Sequence, residues 1–238
     1  MPTLRNVLAI FRRDLRSYFN SPVAYVVIVV FLAIIGWFFT SNLFLMNVAS
    51  LRVVFELVPL VFLFFIPAIT MRLLAEERKS GTLELLTTKP VLDLEIVLGK
   101  FLAAWALLAA ALLPTLLYLV TMLFLGSIDP GPVLTGYLGL LLMGAVYIGI
   151  GIFASSVTEN QIVAFILSFL IILTLFLFDK VLMYVPEGLA STLEFLGIDY
   201  HFGNIARGVI DTRNVIYFLS LLGFSLYLAT VSLERRKW

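Results

Sequence analysis

Apolar residues in this chain gather into six long runs, and almost all of its charge lies between them. The runs cover about Val23 to Leu45, Leu57 to Leu73, Phe101 to Leu125, Val133 to Ser155, Ile162 to Phe178 and Val215 to Leu233. Each is near the roughly 20 residues that a helix needs to cross the hydrocarbon core of a bilayer. No alternating ten-residue pattern accompanies them, so a closed barrel cannot satisfy the backbone and helices must. The pattern predicts an all-α integral membrane protein, a six-helix bundle in which residues 1–238 form a single transmembrane domain.

Ahead of the first run, Leu4, Val7, Leu8, Phe11 and Leu15 recur at helical spacing, flanked by Arg5, Arg12, Arg13 and Arg16. This predicts an interfacial helix over residues 1–21 that lies in the headgroup layer and ends at "NSP", Asn20 to Pro22. The bland alternative is a charged flank. Because the run that follows is too long for a signal peptide and lacks a small-residue cleavage site, it reads as a retained anchor.

Inside the runs, Pro59, Pro67 and Pro114 are expected to bend their helices or leave carbonyls unpaired. The fourth run is rich in small residues. Ala145 with Gly149, and Gly151 with Ser155, are four-residue pairs that let helices approach closely, within one chain or between two. The last connection, 179–214, carries an apolar stripe at Leu182, Val185, Leu189, Leu193 and Leu196. It predicts one or two short helices on the face opposite the termini, or else a plain surface loop.

Charge then orients the bundle. Six spans put both termini on one side, together with Arg72, Arg78, Lys79, Lys89 and Lys100, whereas Arg52, Lys180, Arg207 and Arg213 lie on the other. The positive-inside bias makes the richer side cytoplasmic. Only 13% of residues are charged, about half the usual soluble share, and the net charge of +1 gives no reason to expect nucleic acid. The chain has no cysteine, which removes disulfides and thiolate metal sites and leaves the redox compartment undetermined.

Apart from Arg72 at the edge of the second, the six spans hold no Asp, Glu, Lys, Arg or His. An ion-coupled carrier or an intramembrane hydrolase needs such groups. Gly99-Lys100 is not a P-loop, since Phe101 follows it and Leu94 stands where the first glycine belongs. Neither catalytic residues nor a cofactor or metal site is expected. The only histidine, His201, reads as a surface residue; with Asp199 and Arg207 it marks the one place on the outer loop to search for a site.

One polar stretch stands out, "EERKSGTLELLTTKP", Glu76 to Pro90. The second span should run out through "TMRLLAEERKS", break at Gly81, and give way to a short helix capped by Thr82, with Glu84 in its first turn and Pro90 as its stop. Asp93 is placed to cap the next helix. A short helix on two stems suits docking in a groove of another protein, although an ordinary charged hairpin reads equally well from the residues alone.

The segment "RLLAEERKSGTLELLTTKPVLDLEIVLGK", Arg72 to Lys100, resembles the cytoplasmic loop of ABC-2 type transporter permeases. The likeness extends to "FASSVTENQIVAF" and "FGNIARGVIDTRNVIYF". Within that family it looks most like permeases associated with bacterial gliding motility, and less like the permease of nitrous oxide reductase maturation. The resemblance implies a type V exporter-like permease in the bacterial cytoplasmic membrane. Two such permeases would pair with two ATP-binding subunits, which bind the ATP, and the outer loop is open to an extracytoplasmic partner. Loop 74–98 would then be the coupling region, with Glu76, Glu77, Arg78, Gly81, Thr82 and Glu84 on matching positions and their charges facing the ATPase. A membrane scaffold that holds a cytoplasmic partner without transport is the alternative, and an integral membrane enzyme a third reading with little behind it.

Overall fold

The computed structural model describes residues 4–45, 51–82, 91–125, 129–178, 180 and 194–235. Every regular element among the described residues is a helix. In order they form α1 (Leu4–Asn20), α2 (Pro22–Leu45), α3 (Arg52–Thr70), α4 (Ala75–Lys79), α5 (Asp93–Leu112), α6 (Leu116–Leu125), α7 (Pro130–Val157), α8 (Gln161–Leu177), α9 (Ile198–Ala206) and α10 (Thr212–Glu234). Five stretches are long and apolar enough to cross a membrane: Pro22–Leu45, Arg52–Lys79, Asp93–Leu125, Pro130–Val157 and Thr212–Glu234. Where the sequence predicts a further span, α8 has 17 residues, about 26 Å at the helical rise and so short of a full hydrocarbon core.

Pro114 breaks the third run as expected. It sits in a 3-10 turn, Leu113–Thr115, between α5 and α6. Pro59 and Pro67 instead lie within one continuous α3. The second span does not leave the bundle as a single rod: α3 stops at Thr70, residues 71–74 form turns, and α4 restarts the helix. At the start of α5, Leu92 is the N-cap and Asp93 the first helical residue. The capping role expected of Asp93 falls to Glu95, whose carboxylate accepts from the Leu92 N–H at 3.0 Å.

Helix α7 is the hub, buried over most of its length and packed against α3, α5, α8, α9 and α10. Its glycines make that possible. A Cβ at Gly136 would lie 2.6 Å from the Phe55 ring, one at Gly144 2.2 Å from Leu108, one at Gly149 2.3 Å from Ser225 and one at Gly151 2.0 Å from Thr70. These glycines therefore serve contacts within the chain. By contrast α2, α6, α8 and α10 leave large apolar side chains outward, among them Trp37, Phe124, Ile162 and Phe224, as suits helices in contact with lipid.

Residues of the outer-loop stripe up to Leu193 lie outside the described residues. Leu196 is exposed just ahead of α9, the one short helix of that loop that the structure describes with defined ends.

Candidate functional site

Helix α4 is only five residues long, yet it is tied to most of the helices that end near it. Its N-terminus is held by Ser155 of α7, whose Oγ accepts from the N–H groups of Leu74 (3.0 Å) and Ala75 (2.9 Å) and donates to the carbonyl of Met71 (3.0 Å). One hydroxyl thereby uses its donor and both lone pairs on the turn between α3 and α4.

The charges of α4 then point in different directions. Glu76 takes two hydrogen bonds from Arg72, at 2.9 and 3.3 Å. Glu77 turns inward to Lys100 Nζ (2.9 Å) and Arg13 (2.7 Å). Asp14 meets the same two cations, Lys100 at 3.1 Å and Arg13 at 2.7 Å. Arg13, Asp14, Lys100 and Glu77 thus close a ring of alternating charge drawn from α1, α4 and α5. Lys100 is only 2% exposed. Such a buried cation is tolerable because two carboxylates share it. Arg13 is raised above its ordinary pKa: burial pulls it down, but hydrogen bonding and the charges of Asp14 and Glu77 outweigh that.

On the other side of α4, Arg78 donates to the Ser156 carbonyl (3.2 Å) and lies 3.6 Å from Glu159, at the turn between α7 and α8. Ser232 near the end of α10 reaches the same carbonyl at 3.3 Å. After α4 comes Gly81, whose φ of +69° is a left-handed conformation that glycine adopts without strain. The Thr82 hydroxyl reaches back to the Glu77 carbonyl at 3.2 Å, and the backbone that it is expected to cap lies outside the described residues. Glu84 and the remainder of the short helix fall outside the described residues.

Helix α1 packs Val7, Ile10 and Asp14 against α5. The approach is close because residue 99 is glycine; a Cβ there would sit 2.7 Å from Ile10. Asn6 adds a 2.9 Å hydrogen bond to Glu95. Leu4 and Leu8, expected in the apolar stripe, face outward beside Arg5, Arg12 and Arg16, which are exposed as an interfacial helix requires. Arg13 is exposed as well, and in addition pairs within the charge ring. Gly99-Lys100 proves to be a packing site and an ion-pair site together.

At the opposite end, Asp199, His201 and Arg207 do not converge. Asp199 pairs with Lys180 at 2.5 Å, and Arg207 is exposed at the end of α9. His201, expected at the surface, is 1% exposed. Its Nε2 lies 2.8 Å from the Phe195 carbonyl, its Nδ1 2.7 Å from the Asn214 amide, and its ring stacks on Tyr217 with centroids 3.9 Å apart. A carbonyl only accepts, so Nε2 carries a proton. The reason for the burial is tertiary, since α10 closes over the imidazole. Among the described residues there is no cluster of three or more His, Asp or Glu able to hold a metal.

Asp14, Lys100, Ser155 and Ser156 are the residues that sequence reasoning missed. Asp14 had a signal: it falls four residues after Ile10, inside the face that packs on α5.

Membrane-length apolar helices gathered by a charge ring at one end define a multi-pass membrane protein. The family described as ABC-2 family transporter protein matches residues 45–198, well over half of the chain. The chain belongs to that family, as a membrane permease component of an ABC transporter. No curated protein matches it.

Proposed function

We propose that this chain couples ATP hydrolysis on a separate ATP-binding subunit to export, or to conformational work, across a bacterial cytoplasmic membrane. The family match implies an ATP-binding partner. The observation that carries the rest is the wiring of α4, which leads directly into the loop resembling a coupling region. Ser155 fixes its start, Glu77 joins it to α1 and α5, and Arg78 joins it to the α7–α8 turn. Displacing the loop therefore loads several helices at once. Transport by this route needs two states of the bundle that differ in affinity for the ATP-bound partner.

In this reading α8 completes a sixth crossing and both termini are cytoplasmic. It starts beside α4, through Glu159 and Arg78, and its far end leads to Lys180, which pairs with Asp199 of α9. A second permease, a copy or a relative, completes the transporter, and the α9 end of the bundle is available to an extracytoplasmic partner. The gliding-motility likeness rests on the sequence resemblance alone, because the family match reaches only the ABC-2 family as a whole.

The test is nucleotide-dependent association with the ATP-binding subunit encoded nearest to this chain. Proline cannot adopt the +69° φ of Gly81, whose N–H also donates to Arg78. Gly81→Pro should abolish an ATP-dependent change in association, as should charge reversal at Glu84, one of the positions that match the coupling region. Arg52→Gln, in an exposed pair with Glu56 on the far face, should leave it intact. Association indifferent to nucleotide would favour a membrane scaffold instead.

A further inference from the structure

A cavity of about 290 Å³ lies between α1, α2, α3, α4 and α5, beside the charge ring. Its lining changes character with depth, and it does so in the same direction on three helices. It passes from Ser21, just ahead of α2, to Val27 within it; from Arg72, in the turn after α3, back to Ala68 within it; and along α5 from Lys100 to Leu107. The last pair are seven residues apart, roughly 10 Å along the helix axis. The mouth is thus ionic, the floor apolar, and the axis between them runs with the spans.

The charges at the mouth restrict what fits there. Asp14 and Glu77 are committed to Lys100 and Arg13. What remains is the Arg72–Glu76 pair, half exposed at 38% and 47%. Arg72 spends two N–H bonds on Glu76, and its other three have no hydrogen-bond partner among the described residues. A phosphate placed on those donors would sit beside the Glu76 carboxylate, which favours a neighbouring ammonium. The cavity lining itself carries three carboxylates, Asp14, Glu76 and Glu77, against two cations, Arg72 and Lys100, a balance that favours a head with its own ammonium over a singly anionic one.

We infer that this cavity binds one zwitterionic phospholipid of the adjoining leaflet, with its phosphate on Arg72, its ammonium toward Glu76, and a chain on the floor beside Ala24, Val27, Ala68 and Leu107. The volume is at the low end for ligand pockets and suits the head and the first part of a chain. The inference rests on membrane insertion alone and stands whether or not the loop engages an ATPase.

The test is native mass spectrometry of the full chain, released from mixed phosphatidylethanolamine and phosphatidylglycerol. One phosphatidylethanolamine per chain should persist through delipidation, with phosphatidylglycerol retained about tenfold less. Arg72→Gln should cut retention about tenfold by removing the charged donor. Ala68→Phe, which fills the floor from a half-buried position, should abolish it while the protein remains monodisperse. Equal retention of the two lipids, no retained lipid, or retention unchanged in Arg72→Gln would each overturn the assignment. The comparison of lipid classes on the unmodified chain decides the matter even if Ala68→Phe fails to fold.

Discussion

The two ends of the bundle solve the problem of buried polarity in opposite ways. At the α4 end, polar contacts bridge segments far apart in the chain: 86 residues separate Asp14 from Lys100, and 64 separate Arg13 from Glu77. They are mostly ionic, and each charge in the ring is matched by two of opposite sign. At the α9 end the central contacts are local and involve no carboxylate, with His201 only 13 residues from Asn214 and 6 from Phe195, enclosed by aromatic rings. A charge ring shared by three elements loses its balance when any one moves. A histidine clamped between a short helix and its neighbour moves with them as a unit. On this ground we expect the contacts beside the loop to respond more to helix displacement than those opposite.

The largest effect should come from breaking the ring. Lys100→Met strands Asp14 and Glu77 with Arg13 as their remaining ring cation, and should lower unfolding stability in detergent by about 3–5 kcal/mol. Adding Asp14→Asn and Glu77→Gln should return most of that loss. If the single variant is as stable as the parent, the ring is not the node described here.

At the other end, His201→Phe retains an aromatic ring but leaves Asn214 and the Phe195 carbonyl without their partner, for a loss of about 2 kcal/mol. Hydrogen exchange should rise in α9 and the start of α10 and stay unchanged in α4. A rise in α4 as well would erase the distinction between the two ends. The smallest effect is expected from Ser155→Ala, about 1–2 kcal/mol, because it removes only neutral hydrogen bonds, to two buried N–H groups, and strands no charge. Protection should fall around residues 71–79 and not at His201, as read by the same exchange experiment.

Much of the architecture was legible because bilayer length and apolar run length are the same constraint. The ends of α2, α7 and α10 fall within about a turn of the positions that the runs predict. The break at Gly81 was legible too, since glycine is the residue that takes its φ without cost. The direction taken by each charge in "EERK" was not. In the sequence Glu76, Glu77 and Arg78 form one patch, and a helix spreads neighbours about 100° apart, so each meets a different element. Glu77 in particular faces the bundle interior, where the family likeness led one to expect the ATPase.

By itself, then, the sequence determined that this chain is helical, membrane-embedded and interrupted by a charged turn, because hydrophobic length, backbone hydrogen bonding and glycine geometry act locally. Only the tertiary structure decided which charges are partners, why Gly99 and Gly151 are glycines, and that His201 is buried. Those outcomes depend on which helices pack side by side, and no local pattern encodes the neighbour across a helix interface.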